Sequence, residues 1–111
     1  MVIRQQQMAI LGKAMQHRFE QQMLAHLRAN FRSQTGGWSD ERGLRLVRQG
    51  IAESASQGID AERDVARYIE FLVIYGPEFQ SLGWAAEILA TPDLDGAEKM
   101  DRIDNYDLFN R

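Results

Sequence analysis

The sequence predicts an all-α fold, arranged as a small single-domain bundle of four to five helices. Apolar residues recur at helical spacing along most of the chain, whereas the alternation of apolar and polar residues that marks strands is scarce. The chain has only two prolines and a length of 111 residues, which suffices for one domain with a modest core. We therefore expect residues 1–111 to form one helical domain, with a long N-terminal helix and a buried central helix.

The long N-terminal helix is predicted over residues 1–32, which contain no proline. Its apolar residues recur every four positions, so the apolar stripe drifts by about 40° per step around the helix. Either the helix curves around the body of the fold as core or as a homodimer seam, or its early part contacts a partner protein. The residues of that early part proposed for partner binding are Met8, Leu11, Met15 and Arg18.

A second helix should follow the Gly36–Gly37 pair, with Ser39 as its N-cap. Gly43 and Gly50 within this helix either weaken it or permit close approach of a neighbouring helix. Trp38 should fold onto the start of the helix, although an exposed tryptophan would instead be a strong interface anchor. The predicted core stripe consists of Leu44, Val47, Ile51 and Ala55.

The central helix is predicted between Gly58 and Gly76, with Asp60 as its N-cap and Pro77 ending it. Because apolar side chains lie on nearly all of its sides, the other helices should pack around it.

Two shorter helices should complete the fold. One precedes Pro92, and the other begins with Asp95 and Glu98 at the spacing of a capping box. Residues 104–111 are predicted as a tail that either folds back on the domain or serves as a linear binding segment, with Tyr106 and Phe109 as its contact residues.

The composition argues against an enzyme and predicts no cofactor. The chain has no cysteine and only two histidines, His17 and His26, whose spacing places them on different sides of one helix. The acidic residues are explained by helix starts and solvation, and no phosphate-binding, dinucleotide-binding or nucleophile motif is present. No apolar run is long enough to span a membrane, so we expect a cytoplasmic protein without a membrane partner.

The charge is divided between the two halves of the chain. Residues 1–50 carry eight basic and three acidic side chains, and residues 51–111 carry five basic and thirteen acidic ones. Either the halves complement one another within the fold, or they present faces of opposite sign to different partners. Arg42, Arg45 and Arg48 recur on the second helix, and arginine suits the recognition of carboxylates on a protein. Arginines at this spacing also suit DNA phosphates, but the sequence pI of about 5.3 disfavours nucleic acid as a partner.

Several short motifs are spread over most of the chain. They are IRQQQM at 3–8, FExxMxxHLR at 19–28, GIxAERDVxRYI at 58–69, YGPEF at 75–79, WAAEIL at 84–89, and Lys99–Met100. Together they resemble a family of small bacterial helical proteins that are encoded near type VI secretion spikes, their effectors or other polymorphic toxins. Where family members have a cysteine or another residue after the valine of the ERDV segment, this chain has Ala66.

The resemblance implies a small adaptor or chaperone-like accessory that holds a secretion spike component, an effector or a toxin. It supplies no catalytic residues. The alternative is an immunity protein whose acidic second half blocks a toxin, and a helical DNA-binding regulator is a third, less favoured class.

Overall fold

A computed structural model describes residues 12–110, and all regular structure in this range is helical. The prediction of an all-α domain is therefore confirmed. Six α-helices occur within residues 12–110, two of them only four and seven residues long. They are α1 (Gly12–Asn30), α2 (Arg32–Thr35), α3 (Asp40–Ser56), α4 (Glu62–Tyr75), α5 (Gly83–Leu89) and α6 (Gly96–Phe109), with a 3-10 turn at Phe79–Ser81 before α5.

Close packing of α3 between α1 and α4 is made possible by two buried glycines. A Cβ atom added at Gly43 would lie 2.4 Å from Leu24 Cδ1 of α1, and one added at Gly50 would lie 2.3 Å from Ile69 Cγ1 of α4. Both distances are far below the contact distance of about 3.5–4.0 Å between carbon atoms. Of the two roles predicted for these glycines, the structure therefore supports close helix approach.

The core stripe of α3 differs from the predicted one. Val47 is fully buried as expected, but Ala55 is exposed and Leu44 and Ile51 are only partly buried. The buried face instead contains Gly43, Val47, Gly50 and Ser54. The spacing of apolar residues does not predict this buried face, because glycine and serine have no large apolar side chain that would indicate burial. Both residues nevertheless fit where helices approach closely.

The central helix α4 contributes most to the core, with five apolar side chains at or below 6% exposure. Its aromatic residues join those that follow it in one continuous cluster. Phe71 and Phe79 stack with ring centroids 5.5 Å apart, and Tyr68 contacts Phe79 edge-to-face at 5.4 Å. The prediction that other helices pack around α4 fails at its C-terminal end, where Ile74 and Tyr75 are 45% and 37% exposed.

The predicted cap of α4 is also wrong. Ala61, not Asp60, occupies the N-cap position and makes no side-chain capping bond. Gly58 adopts a left-handed conformation with φ of 76°, and Ile59, which follows it, is buried. The backbone N–H of Ile59 donates to Ser54 O at 2.9 Å, so the turn that ends α3 delays the start of α4.

The first helix ends earlier than predicted. Gly12–Asn30 form α1, and Phe31 then departs from helical geometry before the single turn of α2. Phe31 is partly buried against the core, so a short break here lets an apolar side chain pack inward. The predicted helical residues 1–11 lie outside the described range.

The last helix includes most of the predicted tail. Asp95 accepts from the Glu98 backbone N–H at 2.9 Å and Glu98 accepts from that of Asp95 at the same distance, which forms the expected capping box. Residues 104–109 continue this helix, and Asp107 is buried within hydrogen-bonding distance of Tyr75. Of the two alternatives for residues 104–110, the structure therefore has the segment docked on the domain.

Candidate protein-binding site

A groove lies between the first half of α3 and the C-terminal end of α4. Its volume is about 520 Å³, within the range of about 300–1,000 Å³ that is typical of ligand pockets. Apolar side chains form its floor, while arginines and glutamines stand at its edge. We call it the arginine groove; the residues that line it are Gln34, Trp38, Arg42, Arg45, Leu46, Gln49, Leu72, Val73, Gly76 and Pro77.

Trp38 is fixed at one end of the arginine groove by its backbone. Its N–H donates to Thr35 O at 2.9 Å, and its carbonyl accepts from Arg28 Nη2 at 3.3 Å. Arg28 is held in turn by Asp40, with Nη1 and Oδ1 2.6 Å apart. The tryptophan is partly buried against the core, so it is a preformed wall of the groove.

The opposite end is fixed by a bond between α3 and the turn after α4. Gln49 Nε2 donates to the carbonyl of Pro77 at 2.8 Å. Gly76 has a φ of 100°, which favours glycine and turns the chain sharply after α4. Because the two helices approach closely at Gly50, Leu72 of α4 reaches the floor beside Leu46 of α3.

The three arginines of α3 have different environments. Arg42 lies over the Trp38 ring, with its Cζ atom 5.1 Å from the ring centroid, and Arg45 is exposed at the groove edge. Neither makes an ion pair with any residue between 12 and 110. Arg48 instead pairs with Glu20 of α1 at 3.2 Å, so its guanidinium is committed to holding α3 against α1.

Glu20 is a buried carboxylate that depends on this pairing. Burial raises its pKa, but hydrogen bonds from Arg48 and from Gln16 more than offset this, so that the pKa of Glu20 is below its ordinary value. The carboxylate is therefore ionised in the folded protein, and Arg48 has a structural role. The structure thus divides the predicted arginine row into two groove residues and one residue of the α1–α3 contact.

The predicted contact residues of the C-terminal segment line a different hollow. Tyr106 stacks on Trp84 with ring centroids 4.3 Å apart, so one face of its ring is already covered. Phe109 is 80% exposed and lies with Tyr106, Ile88 and Arg102 around a shallow depression of about 360 Å³. These residues form a second surface that shares no lining residue with the arginine groove.

The predicted contact residues of the first helix are only partly described. Met15 is partly buried on α1 and Arg18 is exposed. Met8 and Leu11 lie outside residues 12–110. His26, nearer the C-terminal end of the same helix, contacts Glu70 of α4, with Nε2 and Oε2 2.5 Å apart.

Arg67 is the centre of a charged cluster that joins α4 to α6. It lies 3.4 Å from Asp64, 3.3 Å from Asp101 and 2.8 Å from Asp104. Burial, together with repulsion by neighbouring carboxylates, raises the pKa of Asp104 despite the attraction of Arg67. The guanidinium of Arg67 therefore contacts carboxylates of both helices and links α4 to α6.

Among residues 12–110, no group of three or more histidine, aspartate or glutamate side chains is placed to hold a metal ion. Nor does any helix in this range combine the length and the apolar character needed to cross a membrane.

The sequence indicates Arg42 and Arg45 as contact residues, but it does not indicate the apolar residues that form the floor of the groove beside them. Leu46, Leu72 and Val73 become groove residues only through the pairing of α3 with α4, which the sequence does not specify. The sequence does carry one signal for the groove in Trp38, which immediately precedes the helix with the arginines and for which an interface anchor is one of the two predicted roles.

Comparisons of the chain with protein-family models, with curated proteins and with solved structures give no match.

Proposed function

We propose that this protein is a non-enzymatic, protein-binding accessory that acts as an adaptor or chaperone-like factor. The observation that supports this proposal is the arginine groove, where Arg42 and Arg45 lie beside an apolar floor and make no ion pair within residues 12–110. An apolar centre with a charged edge is the usual anatomy of a protein interface. Arginine and tryptophan are also the side chains that most often contribute strongly to binding at such sites.

We further propose that the partner belongs to a bacterial type VI secretion or toxin system, as a spike component, an effector or a toxin. The support is the set of short motifs that resemble proteins encoded beside such genes. The adaptor role is preferred over other binding roles because the groove is basic at its edge and therefore favours an acidic partner surface.

An immunity protein is the second candidate, and the charge of the second half favours it. Glu98 and Asp101 are exposed on α6, in the half of the chain that carries thirteen acidic and five basic side chains. Such an acidic surface would be electrostatically complementary to the basic active site of a toxin. In this case the α6 surface, and not the arginine groove, would make the principal contact.

Affinity capture of the tagged protein from its native cells, followed by mass spectrometry at low and moderate salt, tests the proposal. Specific recovery of a spike component or an intact effector would support the adaptor, and an activity assay on that effector would distinguish delivery from inhibition. Recovery of nucleic acid alone, or of no specific protein, would refute a protein-binding function of this kind.

A further inference from the structure

We infer that the arginine groove binds an acidic, apolar segment of the partner protein, with a large apolar side chain on its floor and carboxylates paired with Arg42 and Arg45. This inference rests on the proposed function and states which chemistry the partner must present. It makes the groove, and not the α6 surface, the contact for that segment.

The geometry of the two arginines favours carboxylates on a single segment. Arg42 and Arg45 are three residues apart on α3, so their backbone positions are separated by about 4.5 Å along the helix axis. A planar guanidinium matches a carboxylate in two parallel hydrogen bonds. Arg42 is additionally oriented by the Trp38 ring, which lowers the entropy lost when it binds.

The floor requires the apolar part of the ligand. Leu46, Leu72 and Val73 line the groove between the arginine edge and α4. Leu72 and Val73 are only 1% and 9% exposed, whereas Leu46 and Trp38 are partly exposed. Burying a side chain the size of leucine or phenylalanine there would therefore remove from water its own apolar surface and that of Leu46 and Trp38. A purely acidic chain would leave this floor wet and would bind through charge alone.

The same features disfavour nucleic acid as the occupant. Duplex binding depends on many phosphate contacts, but Arg48 is already paired with Glu20, which leaves two cations of the row at the groove.

The experiment selects ligands from a random dodecapeptide library displayed on phage, with the whole protein as bait. The test variant is Arg42→Gln with Arg45→Gln. The matched control is Lys13→Gln with Arg32→Gln, which removes the same charge from exposed residues that do not line the groove. Affinities of selected peptides are measured through Trp38 fluorescence in a Trp84→Phe background, since the chain has two tryptophans.

We expect the selected peptides to carry at least two acidic residues close to a large apolar one. Their affinity should fall about tenfold in the Arg42/Arg45 variant and stay unchanged in the control, as two partly exposed ion pairs would give. Circular dichroism should show equal helicity in all variants, because both groove arginines are exposed.

Three results would overturn the inference: selected peptides without acidic residues, equal affinity for both variants, or displacement of the peptides by a short DNA duplex. A wild-type dimer that the Arg42/Arg45 variant abolishes on size-exclusion chromatography would also overturn it, since a second copy would then fill the groove. If the variant still captures the cellular partner, the groove inference fails while the proposed function stands. If the wild type captures no partner, the proposed function itself fails.

Discussion

Replacing Gly50 by alanine should destabilise the protein although alanine is the better helix former. The added methyl group would lie 2.3 Å from Ile69 Cγ1 and 3.2 Å from Leu72 Cδ1. Ile69 is fully buried and β-branched, so it has little freedom to move aside. Overpacking of this kind costs about 1–3 kcal/mol, whereas replacing glycine by alanine inside a helix gains up to about 1 kcal/mol. A separation of 2.3 Å requires a shift and puts the cost in the upper half of that range, at about 2–3 kcal/mol, so after the helix gain we expect a net loss of about 1–2 kcal/mol in the free energy of unfolding.

Urea unfolding followed by circular dichroism at pH 7 would measure this loss, and thermal unfolding should show a fall in Tm of about 4–8 °C. The control is Gly83→Ala in the first turn of α5, where an added Cβ would have no atom within 4 Å. That variant should be as stable as the wild type or slightly more so. Equal or greater stability of Gly50→Ala would refute the close approach of α3 and α4, and with it the position of the groove floor.

Three further predictions concern polar groups in the helix contacts. Because the pKa of Glu20 is lowered in the folded protein, its ionised carboxylate stabilises the fold at pH values above the ordinary glutamate pKa of about 4.3. The greater stability of the wild type over Glu20→Gln, measured by urea unfolding, should therefore disappear as the pH falls through the pKa that Glu20 has in the folded protein. A difference that does not change with pH would contradict the role of Arg48. Tyr68→Phe removes a bond of 2.8 Å to Glu53 and should cost about 1–2 kcal/mol by the same assay, whereas no loss would show that this bond contributes nothing. Because the pKa of Asp104 is raised in the folded protein, the free energy of unfolding should fall as the pH rises above the ordinary aspartate pKa. Asp104→Asn should reduce this fall without lowering the urea midpoint at pH 7. A lower midpoint would show that the ion pair between Asp104 and Arg67 outweighs the cost of burying the charge.

The sequence predicted the starts of helices correctly where the capping contacts involve only residues that are close in sequence. Ser39 accepts from the Arg42 backbone N–H at 3.1 Å, and the capping box of Asp95 and Glu98 is present, because both depend on residues within one turn. Asp60 failed as a cap because the turn at Gly58 and the burial of Ile59 determine where α4 begins. Those are tertiary effects that helix propensity does not include.

The groove was predictable only in part for the same reason. Periodicity predicts which side of a helix is apolar, but it does not tell which helix covers that side or how closely. The absence of a side chain at Gly50 allows α3 and α4 to approach closely, and this role can be recognised only once Ile69 is known to pack against Gly50. The arginines were recognisable because charged groups at regular spacing remain visible without a partner helix.

The arginine row shows why a sequence pattern alone cannot define a binding surface. Arg42, Arg45 and Arg48 recur at one spacing, but three residues per step on a helix of 3.6 residues per turn rotate each successive side chain by about −60°. The rotation turns Arg48 towards Glu20 of α1, where its charge offsets the burial of a carboxylate, and leaves the other two at the groove edge. Removing Arg48 would thus disturb the contact between α1 and α3, and would affect the proposed peptide binding only through the fold. Removing Arg45 would change the charge of the groove and leave the helix contacts intact.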